Sequence, residues 1–226
     1  MRWLVTAALV AAPFLFDRPA AAQDAVAVAP GAYKIELENE WVRVLRLKIA
    51  PHETTAVHVH PGIVAVLLTD ALATVTTADG AKQPIARQAG DVLYQPGMPP
   101  HSEQNMSDQP LEAVVVELKS STTTHSPAVS LDPVTLDPEH HPVLIDNPQV
   151  RVIRTILEPR VKSPMHEHPH YVVVYLTELH TTMKMADGRE VDNPRRPGEV
   201  AWRDALKHET ENIGVKTAVE IQIELK

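Results

Sequence analysis

The chain has 226 residues and a formal net charge of −8 at pH 7, enough length for one large domain or two small ones with real cores. It has no cysteine, which excludes disulfides, thiolate metal sites and cysteine nucleophiles. An acidic chain without basic clusters is a poor partner for nucleic acid, and aromatics at 4% leave the core to Val, Leu, Ile and Ala.

In chain order, Met1-Arg2 precedes an apolar run from Trp3 to Phe16, then Asp17-Arg18-Pro19 and Ala20-Ala21-Ala22. A short basic start, an apolar run too short to span a bilayer and small residues at its end read as a cleaved secretory signal over 1–22. The expected location is secreted or periplasmic, with no membrane association after cleavage. Residues 23–31, rich in Ala, Val and Pro, are read as a flexible arm. The first domain is expected over 32–119, with strands at Val42–Leu47, Val64–Leu68, Leu72–Thr77 and Ala113–Leu118. A Ser/Thr/Pro/Asp-rich linker follows over 120–141. The second domain, 142–226, has strand signals at Val172–Leu176 and Ala218–Leu225. Asp79-Gly80 and Asp187-Gly188 are hairpin turns between strand runs. No helical period stands out, so the expected class is all-β, a pair of sandwiches or barrels.

The two domains are copies of one another. Asn39 to Arg46 (N-E-W-V-R-V-L-R) matches Asn147 to Arg154 (N-P-Q-V-R-V-I-R). In the same register His58 falls on His166, His60-Pro61 on His168-Pro169, and Gly90 on Gly198. After the loss of one residue His101 falls on His208, Asn105 on Asn212, and Glu117-Leu118-Lys119 on Glu224-Leu225-Lys226.

His58 and His60 are two apart on a strand, so both side chains leave the same face. His101 follows after a Pro/Gly turn, and in a small antiparallel barrel the three imidazoles can converge. His166, His168 and His208 repeat the pattern. Imidazole favours transition metals over Mg and Ca, and three neutral ligands leave coordination positions open. Glu103, two residues beyond His101, is a candidate base or orienting group, with the competing reading of a solvated rim residue. Arg43, Arg46, Arg151 and Arg154 meet either an anionic substrate or solvent along an edge strand; Glu117 and Glu224 carry the same solvated alternative. Tyr94 and Trp202 share one repeat position and are read as packing residues. His125, His140 and His141 are read as solvated, and His52, His170 and His180 as incidental.

These motifs resemble the cupin superfamily over nearly all of the chain after the signal. His58-x-His60 matches the first cupin motif; Gly90, Pro96-Gly97, His101 and Asn105 match the second. The stretch is similar to small one-domain cupins named for a β-alanine degradation gene cluster. The resemblance implies two tandem double-stranded β-helix (jelly-roll) barrels, a bicupin, with metal held by the matching histidines. Cupins commonly carry a glutamate four or five residues after the second histidine. Here Val64-Ala65 and Val172-Val173 stand instead, which resembles the three-histidine subset that includes thiol dioxygenases and a β-diketone-cleaving dioxygenase. The second copy lacks the Pro-Gly pair and has Arg203-Asp204-Ala205-Leu206-Lys207 at the turn.

The expectation is an exported metal-binding bicupin, an enzyme of the non-haem Fe(II) type such as a small-molecule dioxygenase. Zn, Ni, Mn or Cu are the alternative ions, with isomerase or hydrolase chemistry for Zn, Ni or Mn. The competing class is a non-catalytic cupin that binds or senses a metal or small ligand. The expected partner is a small molecule, and the chain is expected as a monomer with internal pseudo-twofold symmetry or as a homodimer.

Overall fold

The computed structural model describes residues 23–119 and 127–226. The leader read over 1–22, and His125, lie outside the described residues. The first copy opens with a short helix α1 (Ala25–Val28). Its strands are β1 (Tyr33–Glu38), β2 (Val42–Ile49), β3 (His58–His60), β4 (Ile63–Leu67), β5 (Ala71–Thr77), β6 (Lys82–Arg87), β7 (Val92–Gln95), β8 (Met98–Asn105) and β9 (Leu111–Leu118). The second copy opens with α2 (Pro133–Leu136). It continues with β10 (Val143–Asp146), β11 (Val150–Leu157), β12 (Lys162–His168), β13 (Tyr171–Tyr175), β14 (Leu179–Met185), β15 (Glu190–Arg195), β16 (Val200–Arg203), β17 (Leu206–Asn212) and β18 (Ala218–Leu225).

Each copy folds into two facing antiparallel sheets. In the first, β1-β2-β9-β4-β7 faces β3-β8-β5-β6; in the second, β10-β11-β18-β13-β16 faces β12-β17-β14-β15. The hairpins β5–β6 and β14–β15 turn at Gly80 and Gly188, each with φ of +84°, in the left-handed region that glycine adopts without strain.

Strand parity explains the near-continuous apolar runs. Along β2, Leu45, Leu47 and Ile49 point into the barrel with Ala113 and Val115 of β9 and Ile63 and Leu67 of β4. Val42, Val44, Val64, Val66, Val114 and Val116 point the other way. There they pack against Val150, Val152, Val172, Val174, Ile221 and Ile223 of the second barrel. Both faces of each five-stranded sheet are therefore buried, a pattern that antiparallel sheets adopt only when covered on both sides. The two barrels share this face as pseudo-twofold mates. Arg46 Nη2 donates to the Gly198 carbonyl at 2.5 Å, and Arg154 Nη2 to the Gly90 carbonyl at 2.6 Å. Tyr94 donates to Gln149 Oε1 at 2.6 Å, while at the equivalent place Trp202 stacks on Trp41, ring centres 5.1 Å apart. His170 stacks on Trp41 at 4.7 Å.

Several sequence expectations change here. Arg46 and Arg154 lie in the interface rather than along an exposed edge, because β1 and β10 cover β2 and β11. His170 belongs to an aromatic stack. Residues 23–31 are not a loose arm: Asp24 caps α1, and Ala25 is buried in the first barrel. The end of the expected linker is likewise folded. α2 packs along β12, and His141 is buried.

Ile223→Ala, which opens a cavity between the barrels, is expected to cost about 2–5 kcal/mol. Leu72→Ala, at a side chain 52% exposed, should stay within about 0.5 kcal/mol. Denaturant unfolding of the two variants reads the difference.

Candidate metal centres

The backbone places the histidines before any metal arrives. His58 and His60 leave the same face of β3, and His58 pairs directly with His101 on β8. In the second barrel His166 on β12 pairs with His208 on β17, and His168 follows two residues on. All six side chains are buried, and within each triad the ligand nitrogens lie within 4.8 Å of one another. Ring centres are 4.4, 4.9 and 5.7 Å apart in the first triad and 4.5, 4.8 and 5.4 Å in the second.

The hydrogen bonds behind the rings set which nitrogen faces the centre. His58 Nδ1 meets the Ala56 carbonyl at 2.7 Å, and His101 Nδ1 the Pro99 carbonyl at 2.8 Å. His166 Nδ1 meets the Pro164 carbonyl at 2.7 Å. A carbonyl only accepts, so each Nδ1 carries the proton and each Nε2 keeps its lone pair. His60 and His168 reach Glu117 and Glu224 through Nδ1 at 2.7 Å, and His208 Nδ1 lies 2.9 Å from Thr210 Oγ1. The Nε2 atoms of His58, His101, His168 and His208 are buried without any hydrogen-bond partner. Buried, unpartnered lone pairs that converge are what a bound cation would satisfy. Burial holds the His58 and His166 imidazoles below the usual histidine range, and His168 and His208 well below it. The neutral, ligand-competent form is therefore favoured. Both triads fit a divalent metal.

A relay of charge backs each triad. Glu117 Oε2 accepts from Arg43 Nε at 2.5 Å, and Arg43 pairs in turn with Asp24. Glu224 Oε2 accepts from Arg151 Nε at 2.6 Å, and Arg151 pairs with Asp132 at 2.8 Å. Burial raises the Glu117 carboxyl, but the hydrogen bonds from His60 and Arg43 outweigh it and hold the group low. Around Glu224 burial is deeper and wins over Arg151, leaving the group raised. Of the two readings left open for Arg43, Arg151, Glu117 and Glu224, the solvated one is thus corrected: they are the inner supports of the histidines. Their in-register repetition was the available signal, and Asp24 and Asp132 fall in the same register.

The surroundings of the two triads differ. Glu103 Oε2 accepts from the Tyr33 hydroxyl at 2.5 Å, and that hydroxyl lies 3.4 Å from His60 Nε2. Glu103 therefore orients Tyr33, not His101, and is part of the lining rather than a solvated rim. Tyr33 was missed from sequence; burial and Glu103 raise its phenol well above the ordinary value, so it stays protonated. His141 occupies the equivalent place in the second barrel, with its ring centre 5.4 Å from that of His166; its reading as solvated is corrected. Behind the first triad lies a cavity of about 120 Å³, lined mainly by Leu, Ile, Val and Ala side chains. The space at the second triad is about 20 Å³.

Two predictions follow from this geometry. Glu117→Gln and Glu224→Gln are each expected to weaken metal binding at their own barrel by about 10–100-fold, read by competition against a chromophoric chelator. The metal-free protein should lose stability in acid. Its buried histidines bind fewer protons folded than unfolded, so their contribution is complete above about pH 6.5 and is lost as pH falls below it. Thermal unfolding between about pH 7.5 and about pH 5 should show a falling midpoint.

No protein-family model matches the sequence, and no curated protein is similar to it at the level of sequence. Solved structures do match. AerE from Microcystis aeruginosa superposes with a TM-score of 0.60 at 14% identity, over 86% of this chain and 97% of its own. Oxalate decarboxylase from Bacillus subtilis gives 0.58 at 16% identity, over 87% of this chain and 76% of its own. Salicylate 1,2-dioxygenase from Pseudoaminobacter salicylatoxidans gives 0.55 at 12% identity, over 81% and 68%. Such identities speak for the fold alone. They show that the two halves of this chain have the fold of two tandem jelly-roll barrels, as in the bicupins, and each barrel carries a three-histidine group able to hold a divalent metal.

Proposed function

We propose that this protein is a metal-dependent enzyme of the non-haem Fe(II) type, a dioxygenase of small molecules, whose reactive centre is the first barrel. The observation that carries the reading is the apolar cavity behind the first triad, which reaches it at His60 beside Tyr33 and Glu103. Its volume of about 120 Å³ is close to that of an engineered cavity of about 150 Å³ that holds benzene, so a small ring or short branched chain fits. A divalent metal held by His58, His60 and His101 would supply Lewis acidity and open coordination positions. Donors of three neutral imidazoles, without a carboxylate, suit a metal that binds anionic groups of a substrate. The carboxylate-free triad is also what favours Fe(II) chemistry over a Zn, Ni or Mn hydrolase in this reading.

The protein's own residues have defined tasks. Leu, Ile and Val of the lining hold the apolar part of the substrate and exclude water. Tyr33 presents its hydroxyl beside His60, and its proton is held toward Glu103. With its proton on Glu103, the Tyr33 oxygen keeps lone pairs that can accept a hydrogen bond from a polar substrate group at the triad, and Glu103 can take up a proton passed through that hydroxyl. Glu117, clamped by Arg43, fixes the His60 ring. The solved oxalate decarboxylase of similar fold is described with Mn(II) centres, which supports the use of this architecture for redox-active divalent ions. Export through the 1–22 leader and a monomeric, pseudo-symmetric chain are part of the same proposal. The exported protein is expected to begin at Gln23 when its N-terminus is sequenced.

The deciding experiment counts bound metal by elemental mass spectrometry and follows oxygen uptake with a panel of small diols, diketones and thiols. The wild-type chain should hold about one ion per barrel, with His58→Ala and His166→Ala each losing its own share. Ala65→Leu, which narrows the cavity, should keep the metal and lose turnover. Metal retained with no oxygen uptake and no conversion of any substrate would replace the enzyme reading with the binding-module one.

A further inference from the structure

The two barrels share a backbone and a triad, yet they have been filled in opposite ways. Leu47, Val115 and Tyr33 of the first barrel stand where the second has Thr155, Gln222 and His141. Thr155 and Gln222 are 5% and 3% exposed, and Thr155 Oγ1 and Gln222 Oε1 are buried without a hydrogen-bond partner. Both line the small space at the second triad, together with His141, His166 and His208. Gln222 Nε2 donates to Glu220 Oε1 at 2.8 Å, which leaves the amide oxygen as the group facing the space. His141 Nδ1 donates to the Asp137 carbonyl at 2.9 Å, which leaves its Nε2 as an acceptor.

We propose that the second barrel is a closed site for one water molecule, recognised by Thr155, Gln222 and His141 beside the triad, and that it excludes organic ligands. The size of the space is the first argument. About 20 Å³ exceeds the roughly 10–15 Å³ needed for one water and leaves no room for a second heavy group. Hydrogen-bond valence is the second. A water donates one proton to Gln222 Oε1 and the other to His141 Nε2 and accepts from the Thr155 hydroxyl, with one lone pair left toward the triad. A bare anion would face the Gln222 carbonyl and the His141 lone pair without a proton to offer either. The three polar groups therefore select a neutral hydride of oxygen rather than a carboxylate or enolate. The two halves of the chain thus divide the work: one triad meets the organic ligand, the other keeps a resident solvent molecule.

This inference rests on the reading of the triads as metal sites, and its test separates the two. The full chain carrying His58→Ala, to empty the first barrel, is loaded with Mn(II) and its spin-echo spectrum recorded in heavy water, which reports exchangeable deuterons beside the ion. Strong coupling to close deuterons is expected. It should weaken by the share of one water when Thr155→Leu and Gln222→Val install the first barrel's residues, with Mn(II) content unchanged and the exchangeable deuterons of the ligand histidines left as the remainder. Catechol at saturating concentration should leave the spectrum of the His58→Ala protein unaltered, while it perturbs Mn(II) in the first barrel of a His166→Ala protein. Coupling undiminished by Thr155→Leu and Gln222→Val, or a spectrum that catechol alters in the His58→Ala protein, overturns the closed-site assignment alone. Failure of the folded His58→Ala protein to retain any Mn(II) removes the metal from the second barrel and overturns both readings there.

Discussion

The rest of the molecule depends on the burial of both faces of the five-stranded sheets. Each strand of β2, β4 and β9 has to satisfy two environments at once, with alternate residues committed to the barrel interior and to the neighbouring barrel. That constraint fixes register, because a slip of one residue would exchange the two faces. It also carries the functional geometry. Arg43 and Glu117 are on the interior parity and support His60, whereas Arg46, three residues along, is on the outer parity and binds across the interface. Site and interface are two sides of one sheet.

Within that frame the triads depend on the protein more than on each other. Every ring has its Nδ1 held by a group already fixed in the fold: the backbone carbonyl two residues before it, a buried carboxylate, or a threonine hydroxyl. The Asp–Arg–Glu chain behind His60 and His168 neutralises the buried carboxylate and orients it. Its first member sits at the cap of a short helix outside the barrel, so the packing of residues before each first strand is coupled to the orientation of a ligand.

Much of this was legible in the sequence because the chain states it twice. The six histidines, Asn105 with Asn212, and the hairpin glycines repeat in register, and two-residue spacing on a strand is enough to put His58 beside His60. What escaped was the direction of side chains. Tyr33–Glu38 has too polar a pattern to read as a strand, so β2 reads as an edge and Arg43 as a residue meeting an anionic substrate or solvent. The Pro-rich stretch that becomes β8 looked like a turn. His141 lay in a segment whose composition suggests a linker, and only its match with Tyr33 places it at the second triad. The contrast between an apolar and a polar interior could not be read without knowing which alternate residues face inward.

The reciprocal Arg46–Gly198 and Arg154–Gly90 bonds describe a molecule with the contacts of a homodimer but a single continuous chain. In a true homodimer every substitution is made twice, so a residue that improves one pocket alters the other identically. Tandem fusion lifts that restriction. Leu47 and Thr155, Val115 and Gln222, Tyr33 and His141 could each diverge while the shared valine face, which needs both copies, stayed alike. The covalent joining of the halves is therefore a source of asymmetry: it allows one scaffold to keep two chemically different interiors at a fixed separation.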